Sequence, residues 1–214
     1  EMLAPLAFNG LVHEEGRGAL SGRLGTRVAA PSVNLGDAPA LAWPRAFDLE
    51  GVPKRPVPLI QDGIAHRVVH DRRSAARAGT SSTGHALAPG GAPGGPGPTN
   101  LVLAGGGAAD EEELCAPIER GLYVTRFWYL NVVHPKNALL TGTTRDGTFL
   151  IEDGRIAAPA RDVRFTDSVL RILEATEALT AASRLTAEAE YYGRRFAIGT
   201  VAPALRAHGF QVSA

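Results

Sequence analysis

The sequence predicts an α+β fold, mostly antiparallel sheet with about three flanking helices, in which the meander could curl toward a barrel. Two observations carry this. Asp-Gly turns at 146–147 and 153–154 punctuate a long run rich in aromatic and β-branched residues, the pattern of an antiparallel meander. Glycine and proline number 25 and 15 of 214 residues, which favours many turns over a helical bundle. No strand–helix alternation of a dinucleotide fold is present.

From the N-terminus, Leu3, Leu6, Ala7 and Leu11 lie on one helical stripe, and Gly16, Gly18, Gly22 and Gly25 loosen it, so one helix is expected to fray or end near Gly25. Residues 26–35 read as a strand interrupted by Pro31, and 36–58 mostly as loop. Leu59-Ile60, then Gln61-Asp62-Gly63, then 64–70 is a hairpin signature. The low-complexity stretch 86–98 excludes helix or central strand and reads as a mobile surface loop. Asn100–Leu103 is a short strand closed by three glycines; these lack the Gly-Lys-Ser/Thr ending of a phosphate loop. A helix is expected over 110–120, with Asp110 as cap, Glu111, Glu112 and Glu113 at its positive end and Gly121 as its stop. Strands follow over 122–133, 137–144, 148–152 and 155–165, then a helix over 166–185, then two short β runs broken at Pro203 and Gly209.

Lys+Arg and Asp+Glu are 22 each, so nothing in the overall charge drives binding to nucleic acid or an anionic membrane. No apolar run approaches the ~20 residues of a membrane helix. The opening Glu-Met-Leu-Ala-Pro shows no secretory leader and does not read as a natural beginning. The single cysteine, Cys115, excludes an internal disulfide or a Cys-cluster metal site, fits a reducing compartment, and reads as a buried small hydrophobe.

Candidate chemistry starts at His13-Glu14, since zinc proteases place a ligand and a general base as a His-Glu pair on a helix. A second histidine four residues on would be Arg17, which cannot ligate a cation, and five on would be Gly18. His66 and His70 read as two residues on one face of a strand, roughly 13 Å apart and too distant for one metal. Asp48 and Glu50 could serve acid–base work but read better as a turn cap or salt bridge. Asp71-Arg72-Arg73 through Arg77 reads as a solvated basic face. His85, in Ser81-Ser82-Thr83-Gly84-His85, sets a base beside hydroxyls, without an acidic orienter nearby in sequence. His134 and His208 have no evident partner.

The segments Phe47–Pro53, Ser82–His85, Thr99–Leu103, Gly121–Arg126, Thr144–Ile156 and Val163–Ser168 together resemble the C-terminal half of the TldD/PmbA family, in order and spacing across nearly the whole chain. The resemblance implies a single domain over 1–214, with the family's N-terminal domain absent. It also implies cytoplasmic zinc-dependent proteolysis of unfolded or small peptides by a pair of related subunits. One subunit of such a pair carries a His-Glu-x-x-x-His helix and a cysteine ligand near its C-terminus. Here His13 and Glu14 match the motif, Gly18 stands in place of its second histidine, and the C-terminal segment has no cysteine. The chain therefore resembles the metal-free PmbA (TldE) type. The expectation is no catalytic residue, no metal and no cofactor of its own, vestigial positions His13, Glu14 and Gly18, and pairing with a TldD-type subunit or with itself. An active metallopeptidase with altered zinc ligands would need at least three of His13, His66, His70, His85 and Asp48 to converge. A scaffold without a peptide cleft is the third reading.

Overall fold

In a computed structural model, the backbone is described for residues 2–87, 94–191 and 194–213, and side chains over the same ranges except 187–191 and 194–197. The expected N-terminal helix is two short ones, α1 (Leu3–Ala7) and α2 (Gly10–Glu14). The stripe does not continue because Asn9 leaves helical geometry to cap α2, its Oδ1 accepting from Leu11 and Val12 N–H. The break also docks the chain: Gly10 N–H donates to Val69 O and Val69 N–H to Phe8 O.

Residues 26–34 are not the expected strand. Their antiparallel pairing is a bridge of Arg27 with Ile64, beyond which Val28 and Ala29 N–H both donate to Gly63 O, and the strand itself begins at β1 (Leu35–Asp37). The hairpin forms as expected from β2 (Val57–Gln61) and β3 (Ile64–Ala65), with Asp62 and Gly63 both at positive φ, 49° and 74°. Beyond Ala65 the strand stops, so His66 and His70 do not share a strand face. The basic run 72–77 is a helix the periodicity did not announce, α3 (Arg72–Arg77), closed at its start by a capping box between Asp71 and Ser74.

The Pro/Gly stretch 86–98 is described only at its ends; residues 88–93 lie outside the described residues. At its C-terminal end Gly95–Pro98 are buried, so this part is not the surface loop expected. β4 (Asn100–Leu103) forms as predicted. The glycines after it lie against the strand β9 (Thr176–Tyr191): Gly106 N–H donates to Thr180 O, and a Cβ on Gly105 would sit 2.5 Å from Ala181 O. Close backbone approach is thus what these glycines permit. α4 (Glu111–Cys115) has the predicted Asp110 cap but ends at Pro117, which cannot continue the ladder. Gly121 lies inside β5 (Arg120–His134) and is no helix stop.

A 3₁₀ turn at Pro135–Asn137 leads into β6 (Leu139–Glu152). Asp146-Gly147, expected as a tight turn, is a bulge within this one strand, where these two residues of β6 oppose the single Thr125 of β5. Asp153-Gly154 is a true turn into β7 (Arg155–Pro159), and β8 (Arg164–Ser168) follows after a break at 160–163. The expected 166–185 helix is only α5 (Val169–Glu174), capped by Ser168; the rest is β9, paired antiparallel with β10 (Arg194–Ala207). β10 runs through Pro203, where the register shifts, and β11 (Val212–Ser213) ends the chain's pairing.

The strands form two sheets, not one meander or a closed barrel. One has the order β3-β2-β1-β4-β10-β9; the other has β11-β8-β6-β5, with β7 also on β6. All pairs between strands are antiparallel except β4 with β10. Phe8, Leu20, Val33, Leu59, Ile60, Val69, Leu101 and Leu179 fill a core over the six-stranded sheet, and Leu140, Leu170 and Leu173 tie the second sheet to it. The α+β class holds, with five short α-helices among the described residues in place of about three.

Candidate functional site

His13 and Glu14 occupy the last turn of α2. Gly16 N–H donates to His13 O and Arg17 N–H to Val12 O, with Gly16 at φ 67°, which is a Schellman stop. Position 18 is therefore off the helix, and the one-face geometry of a helical ligand pair does not extend to it. Gly18 is buried in the following turn. Its N–H donates to Ser21 Oγ (3.0 Å), and that hydroxyl donates to His13 O (3.1 Å). A Cβ at 18 would lie 3.3 Å from Leu6 O and 3.4 Å from Val12 Cγ1. His13 Nδ1 is buried without a hydrogen-bond partner, and Glu14 is exposed. Glu15 pairs with Arg17 and with Arg77 of α3; the Arg17 hydrogen bond leads in holding its carboxyl below the ordinary range.

His70 packs on α2, where a Cβ on Gly10 would sit 2.4 Å from its Nδ1. The same nitrogen is 3.2 Å from Ser74 Oγ, which in turn donates to Asp71 Oδ1 (2.7 Å). Burial pushes the His70 pKa below 6.5, against the opposing charge of Glu14 and with that of His13. The other predicted residues lie apart. His66 is exposed. Asp48 organises its own loop: Oδ1 accepts from Glu50 and Val52 N–H, and Oδ2 from Ala86 N–H. Glu50 accepts from Arg72 N–H at the start of α3. His134 is exposed, and His208 lies 3.2 Å from Glu177 on the surface. Cys115 is buried at the end of α4, its thiol pKa pushed up by burial and by Glu111 and Glu112. Among the described residues, no group of three or more His, Cys, Asp or Glu is placed to hold a metal ion. The convergence required by an altered-ligand zinc site is not found there, and the single imidazole of His13 does not fit the shell of three protein ligands that a catalytic zinc needs.

Sequence reasoning missed a buried charged node. Asp37 Oδ1 lies 3.3 Å from His85 Nε2 and 3.8 Å from Lys54 Nζ, with all three side chains at most 2% exposed. Asp37 Oδ2 accepts from Thr99 N–H (2.8 Å) and Asn100 N–H (2.9 Å). Burial raises the Asp37 pKa, but the His85 imidazole beside it, the charges of His85 and Lys54, and the Asn100 N–H outweigh it, so the carboxyl sits below its ordinary value. Burial pulls Lys54 down, with Asp37 opposing. His85 Nδ1 is 3.0 Å from Thr83 Oγ1, so acid, base and hydroxyl stand in line. This is not a nucleophile: the Thr83 hydroxyl is held by both His70 N–H (2.7 Å) and His70 O (3.1 Å), and His85 is 1% exposed. The acidic orienter was illegible because 48 positions separate Asp37 from His85.

The third feature is an edge. Among the described residues β5 pairs only with β6, and it exposes Phe127, Trp128, Tyr129, Val132 and Val133. Arg126 and Arg145 lie over the Trp128 ring at 4.7 and 4.5 Å. Tyr129 takes φ 51° at a bulge and is 76% exposed. A groove of about 690 Å³ between Gly106, Leu114, Glu177 and Arg206 holds none of the sequence-predicted site residues.

The family model for the PmbA/TldA metallopeptidase C-terminal domain matches residues 2–214. A metalloprotease from Methanothermobacter thermautotrophicus is 26% identical over 80% of this chain and 37% of its own length. A metalloprotease TldD homologue from Haemophilus influenzae is 26% identical over 72% of this chain and 32% of its own. The chain thus spans about a third of the curated relatives it matches. The crystal structure of TldE from Thermococcus kodakarensis superposes with a TM-score of 0.79 at 23% identity, covering 97% of this chain and 45% of that one, which shows a common fold. By its sequence match from end to end and by this fold, the chain belongs to the PmbA/TldA metallopeptidase C-terminal domain family.

Proposed function

We propose that this chain is the zinc-free, PmbA-type member of a peptide-cleaving pair, acting with a metal-bearing TldD-type subunit. The observation that carries the reading is Gly18: where the family's second histidine is expected, a buried glycine sits in a tight turn beyond the Schellman stop of α2. One ligand cannot close a zinc shell, so water activation falls to the partner. The substrates are unfolded or small peptides, and the β5 edge offers unpaired backbone groups to which an extended peptide can add as a strand. The free, buried Cys115 and balanced charge accord with a cytoplasmic protein that binds neither nucleic acid nor membrane; no helix of the described residues is long and apolar enough to cross a membrane.

The test is metal analysis and peptide hydrolysis with the full-length protein, alone and mixed with a cognate metal-bearing subunit. The expected result is substoichiometric zinc and no turnover alone, with turnover restored in the mixture. Stoichiometric zinc together with turnover by the lone protein sinks the reading.

A further inference from the structure

One stretch of chain joins the buried node to α2. At one end, Asp37 Oδ2 accepts the consecutive N–H groups of Thr99 and Asn100. Gly97 N–H donates to the carbonyl of His85, whose ring faces the same carboxylate. At the other end, the side-chain amide of Asn9 donates to Gly94 O, while its Oδ1 caps α2. Gly95 has φ 79°, and a Cβ there would sit 2.6 Å from Asn9 Oδ1 and 2.8 Å from Leu11 Cβ, so the backbone lies directly on the helix start. Between these anchors Pro96 and Pro98 fix φ and offer no N–H. Between its ends the segment is tied by Gly97 N–H, and at the Asn100 end the sheet holds it as well, Gly199 N–H donating to Thr99 O and Ala38 N–H to Asn100 O.

We infer that residues 94–100 form a strap through which the buried carboxylate of Asp37 positions α2, making Asp37 and Asn9 positioning residues for the helix that carries His13 and Glu14. Asp37 and Asn9 are linked through the strap, so the effect of one on the other is a signature that independent local roles do not produce. The inference is independent of whether the chain binds zinc or peptide.

Amide hydrogen exchange on the full chain tests it. Asp37→Asn removes the charge that holds Thr99 and Asn100. The expected result is exchange at least about tenfold faster at Thr99 and Gly97 and also at Leu11 and Val12 of α2, with the amides of β6 unchanged. No change at Leu11 and Val12, or an equal rise in β6, overturns the inference. Asn9→Ser supplies a second reading if Asp37→Asn does not fold. Serine keeps a cap for α2 but loses the amide to Gly94. Leu11 and Val12 should then stay protected while Gly97 exchanges at least about tenfold faster; an unchanged Gly97 overturns the inference.

Discussion

A histidine placed at position 18 would not share a helix with His13. The Schellman stop at Gly16 lies between it and His13, and its Cβ would press on the backbone of Leu6 at 3.3 Å. Gly18→His is expected to lower stability by about 1–3 kcal/mol, as overpacking does, without gaining zinc; thermal unfolding with and without added zinc reads both. The buried charges set a pH dependence whose sign follows from the direction of each shift. His70 has a folded pKa below 6.5, so the unfolded chain binds more protons between the two values. The stability from keeping this ring neutral is present above about pH 6.5 and falls as pH drops below it. Asp37 is depressed below 3.8, so its contribution is present above that value and is lost as pH falls through the folded one. Denaturant midpoints followed downward from pH 8 should therefore fall first below about pH 6.5 and again below about pH 3.8, where Asp167, depressed despite its burial by its hydrogen bond with Arg171, adds to Asp37. His70→Gln should remove the upper step and leave the lower; loss of both steps, or of neither, contradicts this assignment. Of these residues, the sequence announced His13, Glu14, Gly18 and His70 as positions to inspect. It singled out His85 but could not announce the Asp37–Lys54–His85 node, because Asp37 and Lys54 lie in the loop-like stretch 36–58, remote from His85 in sequence, and only tertiary folding brings the three together.

Elements were legible where the deciding interactions are local. Asp62-Gly63 carries its own turn chemistry, and Asp110 and Glu113 their own cap, so the hairpin and the start of α4 formed where expected. They were illegible where a distant partner decides. Residues 176–185 have good helical propensity, yet β10 on one edge and residues 105–109 on the other make them a strand. Asp146-Gly147 has the composition of a hairpin turn, but β5 pairs on both sides of it, and a bulge is what remains. The two roles a glycine can play separate cleanly in this fold. Gly22 and Gly63 share a φ of 74°, but a Cβ on Gly22 meets nothing within 4 Å, whereas one on Gly63 would lie 2.3 Å from Ala29 O. Gly22→Ala should cost only the left-handed backbone penalty of about 1–2 kcal/mol. Gly63→Ala must also displace the 29–30 backbone from the hairpin tip and should cost at least about 2 kcal/mol more. Urea denaturation of the two variants measures the difference; equal losses would mean that the turn yields without disturbing the core.

Across the whole molecule the two sheets are unequally protected. The six-stranded sheet carries the core, while β5 of the second sheet leaves a 15-residue strand with an edge that no other described strand covers. Soluble folds ordinarily blunt such an edge with charge, proline or brevity. β5 is long, has no proline or acidic residue, and exposes Val132 at 41% and Val133 at 52%. The Tyr129 bulge twists it locally but leaves the strand paired to β6 on both sides. A strand kept in this state is suited to receiving another, whether a peptide or a subunit, by backbone hydrogen bonds with apolar side chains alongside. Val132→Lys tests this use of the edge directly. The residue is substantially solvent-exposed, so the melting temperature should move little, on the order of 0.5 kcal/mol in stability. A lysine on an edge opposes strand addition, so capture of extended peptides, or of the metal-bearing subunit, should weaken at least about tenfold by titration calorimetry. Association unchanged in both titrations would show that β5 receives neither. Lysine at exposed Leu185, midway along β9, serves as the control, and there peptide and subunit binding should be retained.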